Sequence, residues 1–455
     1  MRRTQQPHLR VLLNSATEEE QSMALVLSAA LLPFSSSLLQ RLPRSTSKLR
    51  VVSSHGGGGV ELIADSAAPS AERVSFGFKN LAETFWVNVQ RAEGRPFSVG
   101  LNSPLYFGDS KLETVENVAI RVELKNGCVG WGEVQVLPSV TDVNLETVLA
   151  KAEQVCSYLR HTPPATLNSM FDDITGLLSP REFAPIRAGV EMALIDAVAN
   201  SIRVPLWRLF GGVTSTLTTA ITVPIVSPAE ATFLASKYYN QGFGTLKLVV
   251  GKNFAAELAA IEAIHAALPC CSLMFDANEG YTAEEAIKFL EKLKDMGIVP
   301  LVFEQPVDRD DWKGLRQVSN VARTYGIPVA VDESCRSLTD VQKIIDENLV
   351  DAINIKLPKF GVLGVLEITN LARKSGLTLM VDSMAETRLA TGFAGHLAAG
   401  VGCFKYIVLD TPFLLAEDPV VGGYEVSGAV YKFNNARGQG GFLNWDLLPE
   451  AGGLP

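Results

Sequence analysis

Hydrophobic residues along this chain recur with two different periods, and the change of period divides it. Val118, Ile120, Val122 and Leu124 alternate with other residues, Asn126-Gly127 offers a turn, and Val129, Trp131 and Glu133 resume the alternation. That pattern predicts a β-hairpin. Apolar residues then fall at helical spacing over 145–159 and again over 186–199. A sheet followed by a run of helices is an α+β arrangement, expected here over 84–212.

Beyond Gly211-Gly212 the pattern becomes a repeat. Short apolar runs at 219–225, 245–250, 272–275, 301–303, 329–331, 352–355, 378–381 and 406–409 are mostly separated by helical patterns, such as 283–296 and 339–348. Eight strands in parallel βα order predict a barrel, expected over 213–423. The polar, glycine-rich segment 424–455 offers no ninth unit and is expected to return to the first domain.

Three of the runs end in acidic triplets: Asp276-Ala277-Asn278, Glu304-Gln305-Pro306 and Asp332-Glu333-Ser334. Their leading acids stand at equal intervals of 28 positions. Strands that end in acids would line one mouth of the barrel. Like charges converge stably only around a cation, and an all-oxygen donor set suits Mg²⁺. Glu333 fits either a ligand or a hydrogen-bonding neighbour of one. Residues two apart on a strand share a face, so Lys247 and Val249 should both point into the barrel. Lys356 closes the run Asn354-Ile355-Lys356 and should face Lys247 across the acids, while Lys359 reads as a solvated loop residue. A lysine buried beside a metal is expected to lose its proton readily and so to act as a base.

Composition narrows the picture. With 455 residues, 47% of them hydrophobic, the chain can bury a large core in two or three domains. A net charge of −9 argues against nucleic acid or an anionic membrane as partner, and no apolar run reaches the length of a membrane helix. Six cysteines show no paired metal-ligand spacing and read as buried thiols. Residues 23–60 contain no Asp or Glu, many Ser, and only Arg41, Arg44, Lys48 and Arg50 as charges. That composition predicts a transit peptide, followed by a linker at Gly56-Gly57-Gly58-Gly59, so residues 1–80 are read as targeting and linker sequence and the plastid as destination. The acidic run Glu18-Glu19-Glu20 does not fit such a peptide and points to Met23 as its start.

Residues 84–445 resemble the enolase superfamily, in its muconate-lactonising branch, and most of all the dipeptide epimerases of the L-Ala-D/L-Glu type and their plant relatives. The resemblance is carried by Arg187-Ala188-Gly189-Val190-Glu191-Met192-Ala193-Leu194-Ile195-Asp196, by Pro205-Leu206-Trp207-Arg208-Leu209-Phe210-Gly211-Gly212, by the three acidic triplets and by Asn354-Ile355-Lys356. It implies a (β/α)₇β TIM-like barrel, in the α/β class, under an α+β capping domain. It implies that Asp276, Glu304 and Asp332 hold Mg²⁺, that Lys356 is an acid/base, and that Lys247 meets the carboxylate of a small carboxylate or dipeptide substrate. Thr222, Asp382 and Asp410 fall at substrate-contact positions. In that superfamily a metal stabilises the enolate left when a proton is taken from the carbon beside a carboxylate. A homo-oligomer is expected by analogy alone.

Three departures qualify this. The family's second strand reads Lys-x-Lys and its second lysine is the opposite acid/base, where this chain has Val249. Its eighth strand reads Asp-x-Asp in dipeptide epimerases, where this chain has Val408-Leu409-Asp410. Asp382 stands where glycine is usual. Epimerisation needs one group on each face of the α-carbon, and valine is neither acid nor base. The sequence therefore admits an epimerase with weakened inversion, a one-base lyase or cycloisomerase, and a silent metal- and ligand-binding barrel. Outside the barrel mouth, Glu133 after Gly130-Trp131-Gly132 fits either a pocket-covering loop or an ordinary hairpin, while Trp207, Phe210 and His396 read as packing residues.

Overall fold

The computed structural model describes residues 71–107, 110–137, 143–179, 181–224 and 226–450. The targeting reading of residues 1–70 lies outside them. Folded chain begins earlier than the sequence suggests, because helix α1 (Ala71–Thr84) occupies part of the expected linker. Phe78, Leu81, Ala82 and Phe85 stand at helical spacing and supply its apolar stripe. Phe78 and Ala82 are buried, and the Phe78 ring lies 5.6 Å from that of Phe210.

The capping domain is a three-stranded antiparallel sheet in the order β1 (Val89–Phe107), β2 (Ser110–Leu124), β3 (Val129–Val134), followed by helices α2 (Leu145–His161), α3 (Leu167–Leu177) and α4 (Ala184–Ile202). The β2–β3 hairpin turns where expected, with Gly127 at φ +81°. β1 escaped the sequence reading because Gly94, Pro96 and Gly100 interrupt it. It is the edge strand of its sheet, where a proline is tolerated. Helix α4 lies directly on β3. A Cβ at Gly132 would fall 1.9 Å from the Gly189 carbonyl oxygen, and one at Gly130 would fall 2.1 Å from that of Ala193. These two glycines thus serve a helix–sheet contact and not a loop over a pocket.

Eight parallel strands follow in sequence order: Ile221–Val223, Thr245–Val249, Ser272–Asp276, Phe303–Glu304, Val329–Val331, Ala352–Ile355, Thr378–Asp382 and Phe404–Val408. Seven helices connect them among the described residues, giving (β/α)₇β topology. The seam between first and last strands is drawn together by Ala220 N–H donating to the Ile407 carbonyl at 2.8 Å. The connecting helices follow local signals. The helix Ala283–Asp295 opens on a capping box, Thr282 with Glu285, and buries Ala286, Phe289, Leu290 and Leu293. Phe289 meets Phe275 and Phe303 with ring centroids 5.6 and 5.5 Å apart, and each such buried ring contributes roughly 1.5–3 kcal/mol.

Inside the barrel, Ala220, Met274, Val302, Ala330, Ala352, Met380, Tyr406 and Val408 form one apolar cluster. Strand pleating brings the second residue after each to the same face, one layer nearer the carboxyl ends. Those residues are Thr222, Asp276, Glu304, Asp332, Asn354, Asp382, Val408 and Asp410. Apart from Val408, which belongs to the apolar cluster itself, they form a polar roof over the apolar plug.

The C-terminal segment adds Val430–Lys432, which pairs with Thr216–Thr218, and Gly441–Leu443, which pairs with Val420–Gly422. It also reaches the capping domain: the Trp445 and Trp131 rings lie 5.6 Å apart, and Gln439 Nε2 donates to the Trp131 carbonyl. Trp207 and Phe210 are buried packing residues. His396 is buried against Phe433, accepts from Trp207 N–H through Nδ1, and contacts the Gln439 carbonyl through Nε2. Burial pushes its pKa down to about 3, so it is a neutral core residue.

Candidate active site at the barrel mouth

The polar layer brings the sequence-nominated residues together. Lys247 lies on the second strand and its ammonium stands 2.8 Å from Asp276, 2.9 Å from Glu304 and 2.7 Å from Asp382. Lys356, at the end of the sixth strand, lies 2.5 Å from Asp332 and 3.7 Å from Asp382. The two lysines thus flank the acids from opposite sides, as the strand pleat requires. Lys359 is no solvated loop residue: its ammonium donates to both the carbonyl and the carboxylate of Asp332. One helical turn separates it from Lys356, which the turn Lys359 N–H to Lys356 carbonyl closes.

Backbone bonds hold the triplets in register. Ala277 N–H donates to the Glu304 carbonyl, Gln305 N–H to that of Ala330, and Asp276 Oδ1 accepts from Asn278 N–H. Gln305, at φ +36°, turns its side chain back between the triplets. Its Oε1 accepts from the Asp332 and Ser334 amides, and its Nε2 donates to Ser334 Oγ. Asn354 donates to Glu304 and to Asp382. Sequence reasoning quoted both residues without giving either a task. Asn354 carried a signal, as an amide on the inward face of an apolar strand. Gln305 carried none, because its role depends on a backbone conformation that periodicity does not report.

Asp410 accepts from the Thr222 amide at 2.6 Å, tying the eighth strand to the first. The carboxylate called for at the mouth is therefore already committed to the barrel seam. Asp382 is the register partner of Val408 on the neighbouring strand, so it stands beside the position where the family's other strand-eight acid would be. Val249 is the register partner of Asp276 and half-buried at the same level as the acids. Glu133 does not cover the pocket. It is buried, accepts from Thr387 N–H and Oγ–H, Ala390 N–H and Asn117, and joins β3 to the start of the helix Arg388–Val401.

The charges of the mouth are strongly coupled to one another. Burial is the largest influence on Lys247 and pushes its pKa down, but Asp276, Asp382 and Glu304 together outweigh it and hold the ammonium well above the usual lysine range. Lys356 is governed likewise: burial lowers it, and Asp332 and Asp382 raise it further than burial lowers it. Where no cation competes for the carboxylates, the acids thus hold both lysines charged. Burial raises Asp332 too, yet Lys356 and Lys359 keep it well below the ordinary carboxylate range. Glu304 is pushed up to about 8 by burial and then by Asp276, and Glu333 to about 8 by burial and then by Asp332.

Three carboxylates on consecutive strands form a hard-oxygen donor set. Among the described residues no three acid, His or Cys side chains are gathered tightly enough around one point to hold an ion as they stand. The reason is visible. Lys247 stands between Asp276 and Glu304 as a cation, and Asp332 is turned toward Lys356 and Lys359. The point between Asp276 and Glu304 is therefore suited to positive charge and filled by an ammonium. Glu304 Oε2 has the Lys247 ammonium at 2.9 Å but no hydrogen bond, and Glu333 Oε2 is buried without a hydrogen-bond partner. In residue type, strand position and charge the site fits a divalent ion.

Known proteins share this fold. The mandelate racemase / muconate lactonizing enzyme N-terminal domain matches residues 95–211, and the enolase C-terminal domain-like family matches residues 230–447. An L-Ala-D/L-amino acid epimerase of Populus trichocarpa is 57% identical over 382 residues, which is 84% of this chain and 91% of that protein. The substrate-liganded L-Ala-D/L-Glu epimerase of Bacillus subtilis superposes with a TM-score of 0.74 at 31% identity, covering 78% of this chain and 99% of that one. A dipeptide epimerase of Enterococcus faecalis V583, complexed with Mg and the dipeptide L-Leu-L-Tyr, gives 0.72 at 27% identity over 78% and 99%.

Proposed function

The chain belongs to the mandelate racemase / muconate lactonizing enzyme family of the enolase superfamily, and from that premise we propose that it is a Mg²⁺-dependent isomerase that epimerises small dipeptides. The observation that carries the reading is the polar roof of the barrel, with three acids on strands three to five and a lysine on each flank. Asp276, Glu304 and Asp332 would hold the ion. When bound, it supplies positive charge against the negative charge that develops on the substrate carboxylate as the α-proton leaves.

This chain's own groups would do the rest. Lys356 Nζ would take the α-proton as the neutral amine and return it as the ammonium on one face; an ion that claimed Asp332 would remove the partner that otherwise holds this lysine charged. Lys247 Nζ neutralises the substrate carboxylate. Asp382 offers a negative pole for the substrate ammonium, with Asp410 and Thr222 shaping the wall beside it. A zwitterionic dipeptide presents the complementary charges.

Val249 favours a second reading, because it is neither acid nor base, and the lysine left on that flank, Lys247, is bound to Asp276, Glu304 and Asp382. One-base chemistry on the same scaffold, a lyase or cycloisomerase, needs no group there. A panel of dipeptides incubated with the protein and Mg²⁺ in heavy water separates the readings. Deuterium at the α-carbon with inverted configuration is expected for an epimerase, and a new double bond or ring for the alternative. A panel with neither exchange nor product would remove both and leave a silent barrel. The plastid is the proposed compartment, on the composition of residues 23–60. A fluorescent fusion of residues 1–80 that remained in the cytosol would remove it.

A further inference from the structure

The motif Arg187–Asp196 carries the family resemblance, yet it contributes no side chain to the barrel mouth. Its helix α4 belongs to the capping domain, and two of its residues reach into the barrel instead. Arg187 Nη2 donates to the carbonyl of Phe360. Glu191 Oε2 accepts from the amides of Val362, at 2.5 Å, and Leu363, at 3.2 Å. The two side chains face each other at 3.5 Å, one turn apart on α4, and both are buried.

Their target is a hinge. The helix that follows the sixth strand, Leu357–Ser375, is broken at Gly361, which adopts φ +73° and ψ 170°. Residues 357–360 form one turn hung between the strand end and the main helix. Lys356 is the cap of that turn, and Lys359 lies within it. Gly361 sits against the pair so closely that a Cβ there would fall 2.8 Å from Glu191 Oε2 and 2.9 Å from Arg187 Nε. The hinge conformation, its glycine and the two polar side chains are therefore mutually fitted. Three consecutive bonds, to Phe360, Val362 and Leu363, bracket the glycine on both sides.

We propose that Arg187 and Glu191 are positioning residues for the reaction. They clamp the hinge at Gly361 and through it fix the reach of Lys356 and Lys359 to Asp332. The proposal rests on the reading of Lys356 as the acid/base. It gives the capping domain a part in catalysis, because the clamp crosses from one domain to the lysine-bearing turn of the other.

The test uses the full chain and the variants Glu191→Gln, Arg187→Met, Arg187→Lys and Gly361→Ala, each checked by circular dichroism and melting temperature. Exchange of the α-proton in heavy water is followed as kcat and KM. In Glu191→Gln and Arg187→Met, kcat is expected to fall about 10²-fold, the loss that a displacement near 1 Å can produce, with KM and Mg²⁺ affinity unchanged. Arg187→Lys should recover part of the loss. Gly361→Ala, strained at a positive φ, should lose kcat without touching either clamp residue.

A second readout does not need turnover. The rate at which acetic anhydride labels Lys356, measured by peptide mass against the exposed Lys432, should rise in both clamp variants. If the parent exchanges no proton, the functional reading fails by itself and labelling alone decides the clamp. Folded variants with unchanged Lys356 labelling and unchanged kcat would overturn the proposal. Parallel losses of Mg²⁺ affinity, melting temperature and kcat would overturn it as well, since they describe general scaffold damage.

Discussion

Val249 is the residue on which the chemistry turns. It faces inward, level with Asp276, on the side of the mouth opposite Lys356. Removing a general acid/base typically lowers the rate by about 10²–10⁴. The parent chain is therefore expected to exchange the α-proton of a dipeptide faster than it inverts the centre, and Val249→Lys to raise inversion by a similar factor. Optical rotation beside deuterium incorporation measures both; a parent that inverts as fast as it exchanges would sink the argument. At this scale the sequence was informative wherever strand parity decided the answer. Parity put Lys247 and Val249 on the inward face, strand-end position put Asp276, Glu304, Asp332 and Lys356 at the mouth, and Asp382 was named only through the family resemblance. Parity failed for Lys359, which follows the strand and reaches Asp332 only because a single helical turn folds it back. Nor does parity count the carboxylates around a lysine: Asp276, Asp382 and Glu304 together hold Lys247 charged against its burial.

Among elements, helix α4 joins the most parts of the molecule. Its Arg187–Glu191 end grips the hinge after the sixth strand, and its Asp196 end binds the C-terminal segment. Asp196 accepts from the amides of Trp131 and Gln439 and from the Gln439 side chain. Burial nevertheless pushes Asp196 up to about 7 from its ordinary 3.8. The folded chain then keeps a proton that the unfolded chain has released, so stability from this group is complete below about pH 4 and falls as pH rises to about 7. Asp196→Asn is expected to flatten that limb of a stability–pH curve, measured by urea unfolding from about pH 4 to 8; an unchanged slope would show that Asp196 is ionised throughout. The helix itself was legible from its apolar spacing, as were all eight barrel strands, because buried parallel strands bounded by turns leave a strong signal. β1 and α1 were not. Glycine and proline blur the first, and Gly77 and Asn80 weaken the second, whose helix is stabilised by packing of Phe78 on Phe210.

For the whole molecule, the arrangement of charge makes a prediction independent of any substrate. Asp276, Glu304, Asp332 and Asp382 crowd into one buried mouth, offset by Lys247, Lys356 and Lys359. Burial and the charge of Asp276 already push Glu304 up to about 8, which shows how poorly its ionised form is compensated. A divalent ion that binds only the folded chain adds RT ln(1 + [L]/Kd) to stability, about 2.7 kcal/mol at a hundredfold excess over Kd. Saturating Mg²⁺ should therefore raise the melting temperature by several degrees. The gain should reach the capping domain as well as the barrel, because Glu133, Arg187, Glu191 and the segment ending at Trp445 bind the two together. Glu304→Gln removes a charge from the donor set while keeping the shape of the side chain, and the Mg²⁺-induced shift should shrink or vanish in it. Lys247→Met removes the ammonium that stands between Asp276 and Glu304, so its Mg²⁺ shift should appear at lower ion concentration than in the parent. If Mg²⁺ moved the melting temperature of neither the parent nor Lys247→Met, the three acids would be a lysine-binding cluster and not a metal site, and the proposed isomerase would lose its electrophile.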